Sequence, residues 1–140
     1  MYKGGMVVFL AGLLSTGVTA KAGTDVMEGL WQFKVRYDFI GVPQRFPEYV
    51  VTQCITEELP IPSISRVGQE CNDRLQGRFG RTFTWQVDCS TEWEMAQGMG
   101  RIHYNAEEAV ADVYLQVVNP YNQPQPMVFN LRGKRIGDCR

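Results

Sequence analysis

In the stretch Leu30-Trp31-Gln32-Phe33-Lys34-Val35-Arg36-Tyr37-Asp38-Phe39, apolar and polar side chains alternate strictly from Trp31 onward. Successive residues of an extended chain point to opposite faces, so Trp31, Phe33, Val35, Tyr37 and Phe39 share one side. Gln32, Lys34, Arg36 and Asp38 share the other. Aromatic and β-branched residues suit a pleated, half-buried surface. The stretch therefore predicts a strand with one face on a core.

The same period of two recurs downstream. Phe83, Trp85, Val87 and Cys89 alternate with Thr82, Thr84, Gln86 and Asp88, and Val113, Leu115 and Val117 with Asp112, Tyr114 and Gln116. Residues 48–54 (E-Y-V-V-T-Q-C) are rich in β-branched side chains, residues 93–104 supply a further strand, and residues 127–135 the last. Gly98 and Gly100 allow a bend or bulge. Turns are expected at Gly41-Val42-Pro43, near Gly80, and over Asn105-Ala106-Glu107-Glu108. Thr56 is placed to cap a short helical turn over Glu57-Glu58-Leu59, ended by Pro60 and Pro62. The prolines of residues 119–126 (N-P-Y-N-Q-P-Q-P) exclude a strand interior and predict a long hairpin loop. About seven strands at meander spacing give an all-β domain, an antiparallel meander forming a small barrel or a strongly curved sheet.

The first residues read differently. Lys3 precedes an apolar run from Met6 to Leu14, and small residues follow, with Ala20-Lys21-Ala22 as an A-x-A cleavage site and Val18-Thr19-Ala20 as the alternative. This is the pattern of a secretory signal peptide, residues 1–22, ahead of a single domain over residues 23–140. The apolar part falls short of the ~20 residues a membrane span needs. No cysteine precedes Cys54, so no lipid anchor is expected at the cut. Export to the periplasm as a soluble protein is the expected localisation. Cleavage after Ala22 removes Lys3 and Lys21 and leaves 12 basic against 15 acidic residues, a net charge of −3. That balance lacks the basic footprint of nucleic-acid binding. The densest basic group, Arg74, Arg78 and Arg81, surrounds a hairpin tip and reads as solvated surface.

The exported part holds four cysteines: Cys54, Cys71, Cys89 and Cys139. An even count in a small exported domain predicts two disulfides, with three connectivities to choose from. Cys71 and Cys89 are equidistant from Gly80, so a hairpin turning there sets them opposite each other within bonding range. Cys54–Cys139 follows by elimination and pins the C-terminus. Zinc is a poor alternative, because the nearest cysteines are far outside C-x-x-C spacing.

Several segments together resemble the domain of unknown function 3617 family. They are Gly29-Leu30-Trp31, Thr52-Gln53-Cys54-Ile55-Thr56-Glu57-Glu58, and Gly80-Arg81-Thr82-Phe83-Thr84-Trp85-Gln86-Val87-Asp88-Cys89, with Cys71 between them. Gly98-x-Gly100-x-Ile102-x-Tyr104 and Gly133-Lys134-Arg135-Ile136-Gly137-Asp138-Cys139 complete the pattern. The resemblance covers nearly all of the expected mature chain. It implies a small exported bacterial protein with four structural cysteines, and it carries no activity and no catalytic residue. The loop at 119–126 departs from the Gly/Met-rich loop such proteins often have.

His103 is the only histidine, and Ser63, Ser65 and Ser90 lack a nucleophile-elbow context. The acidic pairs Glu57/Glu58, Glu92/Glu94 and Glu107/Glu108 fall mostly in turns. No enzyme, no cofactor and no resident metal is expected. Met95, Met99, His103 and Met127 resemble a copper(I) ligand set, but Met99 and His103 stand ~13 Å apart along a strand. The leading expectation is a binder of a small apolar ligand or envelope component, with Trp31, Phe33, Tyr37, Phe83 and Trp85 lining a pocket. The alternative is a protein-interaction or structural module working through loops 59–70 and 119–126, with Ile61, Ile64 and Tyr121 on the surface.

Overall fold

Seven strands follow one another: β1 (Gly29–Phe39), β2 (Tyr49–Ile55), β3 (Glu70–Phe79), β4 (Thr82–Ser90), β5 (Met95–Asn105), β6 (Glu108–Val118) and β7 (Pro124–Gly137). They belong to a computed structural model that describes residues 26–65, 69–92, 94–118, 121 and 123–139. The expected signal segment lies outside the described residues, as do Trp93 and part of each long loop. Every pairing is antiparallel, and the strand order is β2-β1-β7-β6-β5-β4-β3. The sheet curls into a half-barrel whose edges, β2 and β3, stay apart; of the two expected shapes it takes the open one.

The inner face is apolar along its length. Trp31, Phe33, Val35, Phe83, Trp85, Val87, Ile102, Tyr104, Val113, Leu115, Phe129 and Leu131 are buried there, while their chain neighbours face out. Tyr104 is edge-on to Trp31 at 5.2 Å and to Phe83 at 6.0 Å between ring centroids. Two glycines make room for these rings. A Cβ on Gly100 would stand 2.4 Å from the Trp85 ring, and one on Gly133 2.4 Å from Phe33. β5 pairs with both neighbours without a register shift, so Gly98 and Gly100 do not form the expected bulge. Gly100 admits the Trp85 ring instead, and Gly98 the close approach of the Tyr114 backbone carbonyl.

A strap formed by residues 60–64 covers one end of the concave face. Pro60, Ile61, Pro62 and Ile64 are buried beneath it. Gln53, on the inner face of β2 opposite Trp31, donates from Nε2 to the Ile61 carbonyl at 3.0 Å, and its Oε1 accepts from the Ser63 amide at 2.8 Å. The Tyr49 hydroxyl donates to the Ile64 carbonyl at 3.3 Å, and the buried Tyr104 hydroxyl to the Pro60 carbonyl. Thr56 does cap the preceding turn, its Oγ1 accepting from the Leu59 amide at 3.1 Å. No helix follows, because Pro60 and Pro62 deny it amide donors and the strap binds side chains instead.

The region 119–126 also departs from expectation. β7 begins at Pro124, so two prolines lie inside a strand. Pro126 accepts from the Ile40 amide through its carbonyl at 3.0 Å. In an antiparallel ladder a residue's N and O point the same way, so the Pro126 nitrogen faces the β1 side. β1 itself ends at Phe39, opposite Met127, so the missing N–H costs only the return bond to Ile40 at the end of the ladder and none to β6.

Both disulfides form as the cysteine spacing predicts. Cys71–Cys89 joins directly opposed residues of β3 and β4, with Cα atoms 4.0 Å apart. Cys54–Cys139, Cα atoms 5.4 Å apart, reaches from β2 to the end of the chain. Arg135 holds that end as well, donating from Nε to the Glu28 carbonyl at 2.9 Å and pairing with Asp138 at 2.7 Å. Each bridge staples one of the two edge strands. Loop-closure entropy puts their contributions at roughly 3 kcal/mol for the shorter loop and 4–5 kcal/mol for the longer.

Two stability predictions follow from these contacts. Gly100→Ala should lower unfolding stability by about 1–3 kcal/mol through overpacking against Trp85, whereas Gly137→Ala, with open space around it, should not; urea unfolding of both variants measures the difference. The double replacement Cys54→Ser/Cys139→Ser should cost about 2–5 kcal/mol, and non-reducing peptide mapping of the parent should recover Cys54 joined to Cys139.

Candidate functional site

The aromatic residues expected to line a pocket pack solid instead. Trp31, Phe33, Phe83 and Trp85 are sealed in the core at 0–1% exposure, and none of them lines the cavity or the hollows described below. Tyr37 is half-buried, stacked on Phe46 at 5.0 Å and Phe129 at 5.7 Å. The reason is stoichiometric: Gly100 and Gly133 remove side chains where the rings need volume, so the rings fill the middle of the half-barrel completely.

The empty space lies at the other end, beyond the strap. A cavity of about 240 Å³ opens there between the end of β1, the start of β7, the end of β6 and the β4–β5 turn. Its wall is Phe39, Cys89, Ala96, Leu115, Val117, Met127 and Phe129, and its rim carries Gln69, Thr91 and Glu94. Strand geometry places the wall. Cys89 is opposite Ala96, Ala96 opposite Val117, Leu115 opposite Met127, and Met127 opposite Phe39, so consecutive inward positions at one level of the sheet converge. Thr91 and Glu94 are fixed by a tight turn in which the Glu94 amide donates to Thr91 Oγ1 at 3.0 Å and the Thr91 amide to the Glu94 carbonyl at 2.9 Å. Sequence reasoning found the inward faces but missed this site. The signal available was the run of small or flexible residues at the inward positions of one end, Ala96, Val117 and Met127.

The other expected residues fall elsewhere. Ile61 and Ile64 are 3% and 1% exposed, because the strap turns them into the core, so they present no interaction surface. Tyr121, by contrast, is 84% exposed. The sulfur and imidazole ligands proposed for copper(I) are not gathered: Met95, Met99 and His103 are spaced four residues apart along one straight-paired strand, and Met127 lies on the opposite face. His103 is exposed and shares a hydrogen bond with Thr82 Oγ1 at 2.9 Å. No group of three or more His, Cys, Asp or Glu suited to a metal ion occurs among the described residues.

On the convex face four cations meet: Lys34 and Arg36 of β1 beside Arg132 and Lys134 of β7, with Lys34 directly opposite Arg132. Glu108 faces Lys134, and Asp112 faces Asn130, two residues from Arg132. Two hollows of about 560 and 580 Å³ run past these residues, their linings mixing the charged side chains with Ala109, Val110, Ala111 and Leu131.

One inward carboxyl stands out. Asp73 of edge strand β3 lies opposite Val87, half-buried, and burial pushes its pKa up to about 6 against the pull of a hydrogen bond from Trp85. Its Oδ1 has no partner.

A family model described as a protein of unknown function (DUF3617) matches residues 26–139. The chain belongs to that family. No curated protein and no solved structure matches it. The family match covers every strand and both disulfides, so the half-barrel with its two stapled edges is the form of this DUF3617 domain. Among the described residues no helix is long and apolar enough to cross a membrane.

Asp73 yields a pH prediction. Its folded pKa exceeds the unfolded one, so the folded state binds the proton more tightly. Its contribution is favourable below about pH 4 and is lost as pH rises through about 6. Asp73→Asn should leave stability unchanged near pH 3 and raise it at pH 8. The rise should be on the order of 1 kcal/mol, since solvent at this half-buried edge screens most of the ~3 kcal/mol such a shift represents. Urea unfolding across that pH range should show the gap opening between pH 4 and 6; a constant gap would contradict the assignment.

Proposed function

We propose that this chain is a non-catalytic, exported binding module that holds a small apolar ligand at the open end of its half-barrel. One observation carries the reading: the cavity of about 240 Å³ whose wall is hydrocarbon, thioether and disulfide and whose polar groups are confined to the rim. Ligand sites have this composition, an apolar wall with a few polar groups that fix orientation. The volume exceeds the ~150 Å³ that admits a benzene molecule to a dry cavity and lies just below the ~300–1,000 Å³ range of drug-sized sites. A single ring system or the end of one alkyl chain is the right size.

The wall supplies no nucleophile with a base beside it, which supports binding over catalysis. Export is supported by the leader-like residues 1–22 and by two disulfides, which persist in oxidising compartments.

The test is fluorescence titration with the neutral apolar probe N-phenyl-1-naphthylamine. The parent protein should bind it saturably. Ala96→Leu and Val117→Phe, which place side chains in the cavity, should weaken binding by ~10-fold or more with little change in melting temperature. Absence of saturable binding, or full binding by both filled variants, would refute the proposal.

A further inference from the structure

The cavity at the open end of the half-barrel has an electrical sign. Glu94 is the one ionisable residue in its lining, and among the described residues no lysine, arginine or histidine joins it there. The three polar rim residues continue the inward faces of their strands. Gln69 stands two before Cys71, Thr91 two after Cys89, and Glu94 two before Ala96. Parity therefore sets them on the cavity side of the sheet. The next inward position of β3 after Cys71 is Asp73, a second acid.

The cations of the inward face lie at the opposite end. Arg78 stands opposite Phe83 in register and holds its guanidinium 5.4 Å from the centroid of that ring. Arg135 stands opposite Trp31 and donates to the Glu28 carbonyl. Cys89 is six residues beyond Phe83 along β4, and Met127 eight before Arg135 along β7. Those steps are roughly 20 and 26 Å of strand, against a screening length of ~8 Å at physiological salt. Neither arginine offsets Glu94. Arg45 is the chain neighbour of Phe46, whose ring packs edge-on against Phe39 at 5.5 Å, but Arg45 does not line the cavity. The turn at the rim also withholds its backbone donors from an anion. The Glu94 amide is spent on Thr91 Oγ1 and the Thr91 amide on the Glu94 carbonyl.

We infer that the cavity selects amphiphilic amines, an apolar body in the cavity and an ammonium head at the rim, over carboxylates of the same chain length. The inference rests on the reading of the cavity as a binding site. An ammonium group brings three donors and no acceptor, which suits the Glu94 carboxylate and the side-chain oxygen of Gln69. A carboxylate head brings acceptors only and meets a like charge.

Displacement of N-phenyl-1-naphthylamine from the protein by octylamine, octanol and octanoate tests it, at pH 7 and low ionic strength. There the amine is cationic and the acid anionic. Octylamine should displace the probe at a concentration roughly 2- to 30-fold lower than octanoate, with octanol between them. That is the factor for one attraction gained and one repulsion avoided at a rim that water reaches. Glu94→Gln should bring the ratio close to 1. Glu108→Gln makes the same charge change at the far terminus of β6 and should leave the ratio as in the parent. Salt at about 1 M, where the screening length falls to ~3 Å, should shrink it. Equal displacement by amine and acid, or a ratio untouched by Glu94→Gln, would overturn the inference while leaving the cavity reading intact. A preference for octanoate would overturn it as well and assign the head group to Arg45. If the probe does not bind, or none of the three displaces it, the cavity reading fails and this inference with it.

Discussion

Three inward side chains, Gln53, Tyr49 and Tyr104, hold the 60–64 strap against the concave face through its backbone carbonyls and one amide. Much else in the molecule depends on that attachment. A seven-stranded sheet curled to a half-barrel has an inner face too apolar to leave in water, and among the described residues no second sheet or helix covers it. The strap does so with Pro60, Ile61, Pro62 and Ile64, and its polar backbone is satisfied by side chains that the sheet itself presents. Burial pushes the Tyr104 hydroxyl above its ordinary range, so it stays a donor at any physiological pH. Tyr104 also stands edge-on between Trp31 and Phe83, so one residue ties the strap to the centre of the aromatic core.

Open sheets have a second problem, their edges. Strands with unpaired backbone groups invite pairing with other chains. Here each edge is tied covalently: β3 to its neighbour β4 through Cys71–Cys89, and β2 to the chain end through Cys54–Cys139. The bridges fix register at the two places where pairing on only one side would otherwise fix it weakly. They leave the middle of the sheet to the ring packing over Gly100 and Gly133.

Strap and rings together explain why the cavity is where it is. The rings fill the centre and the strap fills one end. The other end is lined by smaller or more flexible side chains, Ala96, Val117 and Met127, and nothing crosses it among the described residues. The space that remains is apolar because it is the unfilled part of a core. Its polar groups come from the turn that bounds it and from Gln69, just before β3.

The alternation of residues 30–39, 82–89 and 109–118 by itself determined that these are strands and which side of each faces in, because a period of two leaves only two faces. Cysteine spacing about Gly80 determined one disulfide, and elimination the other. Both kinds of inference use neighbours in the chain or across one hairpin. The sequence did not place Ile61 and Ile64, whose burial depends on Gln53 and Tyr49 reaching a segment 8 to 15 residues away. Nor did it show that Pro126 sits in a strand, which requires knowing that β1 ends at Phe39. The choice between a closed barrel and a half-barrel, and with it the position of the cavity, belongs to the tertiary structure alone. It depends on how far the sheet curls before β2 and β3 meet, which is set by ring volumes, glycine gaps and the strap together rather than by any one segment.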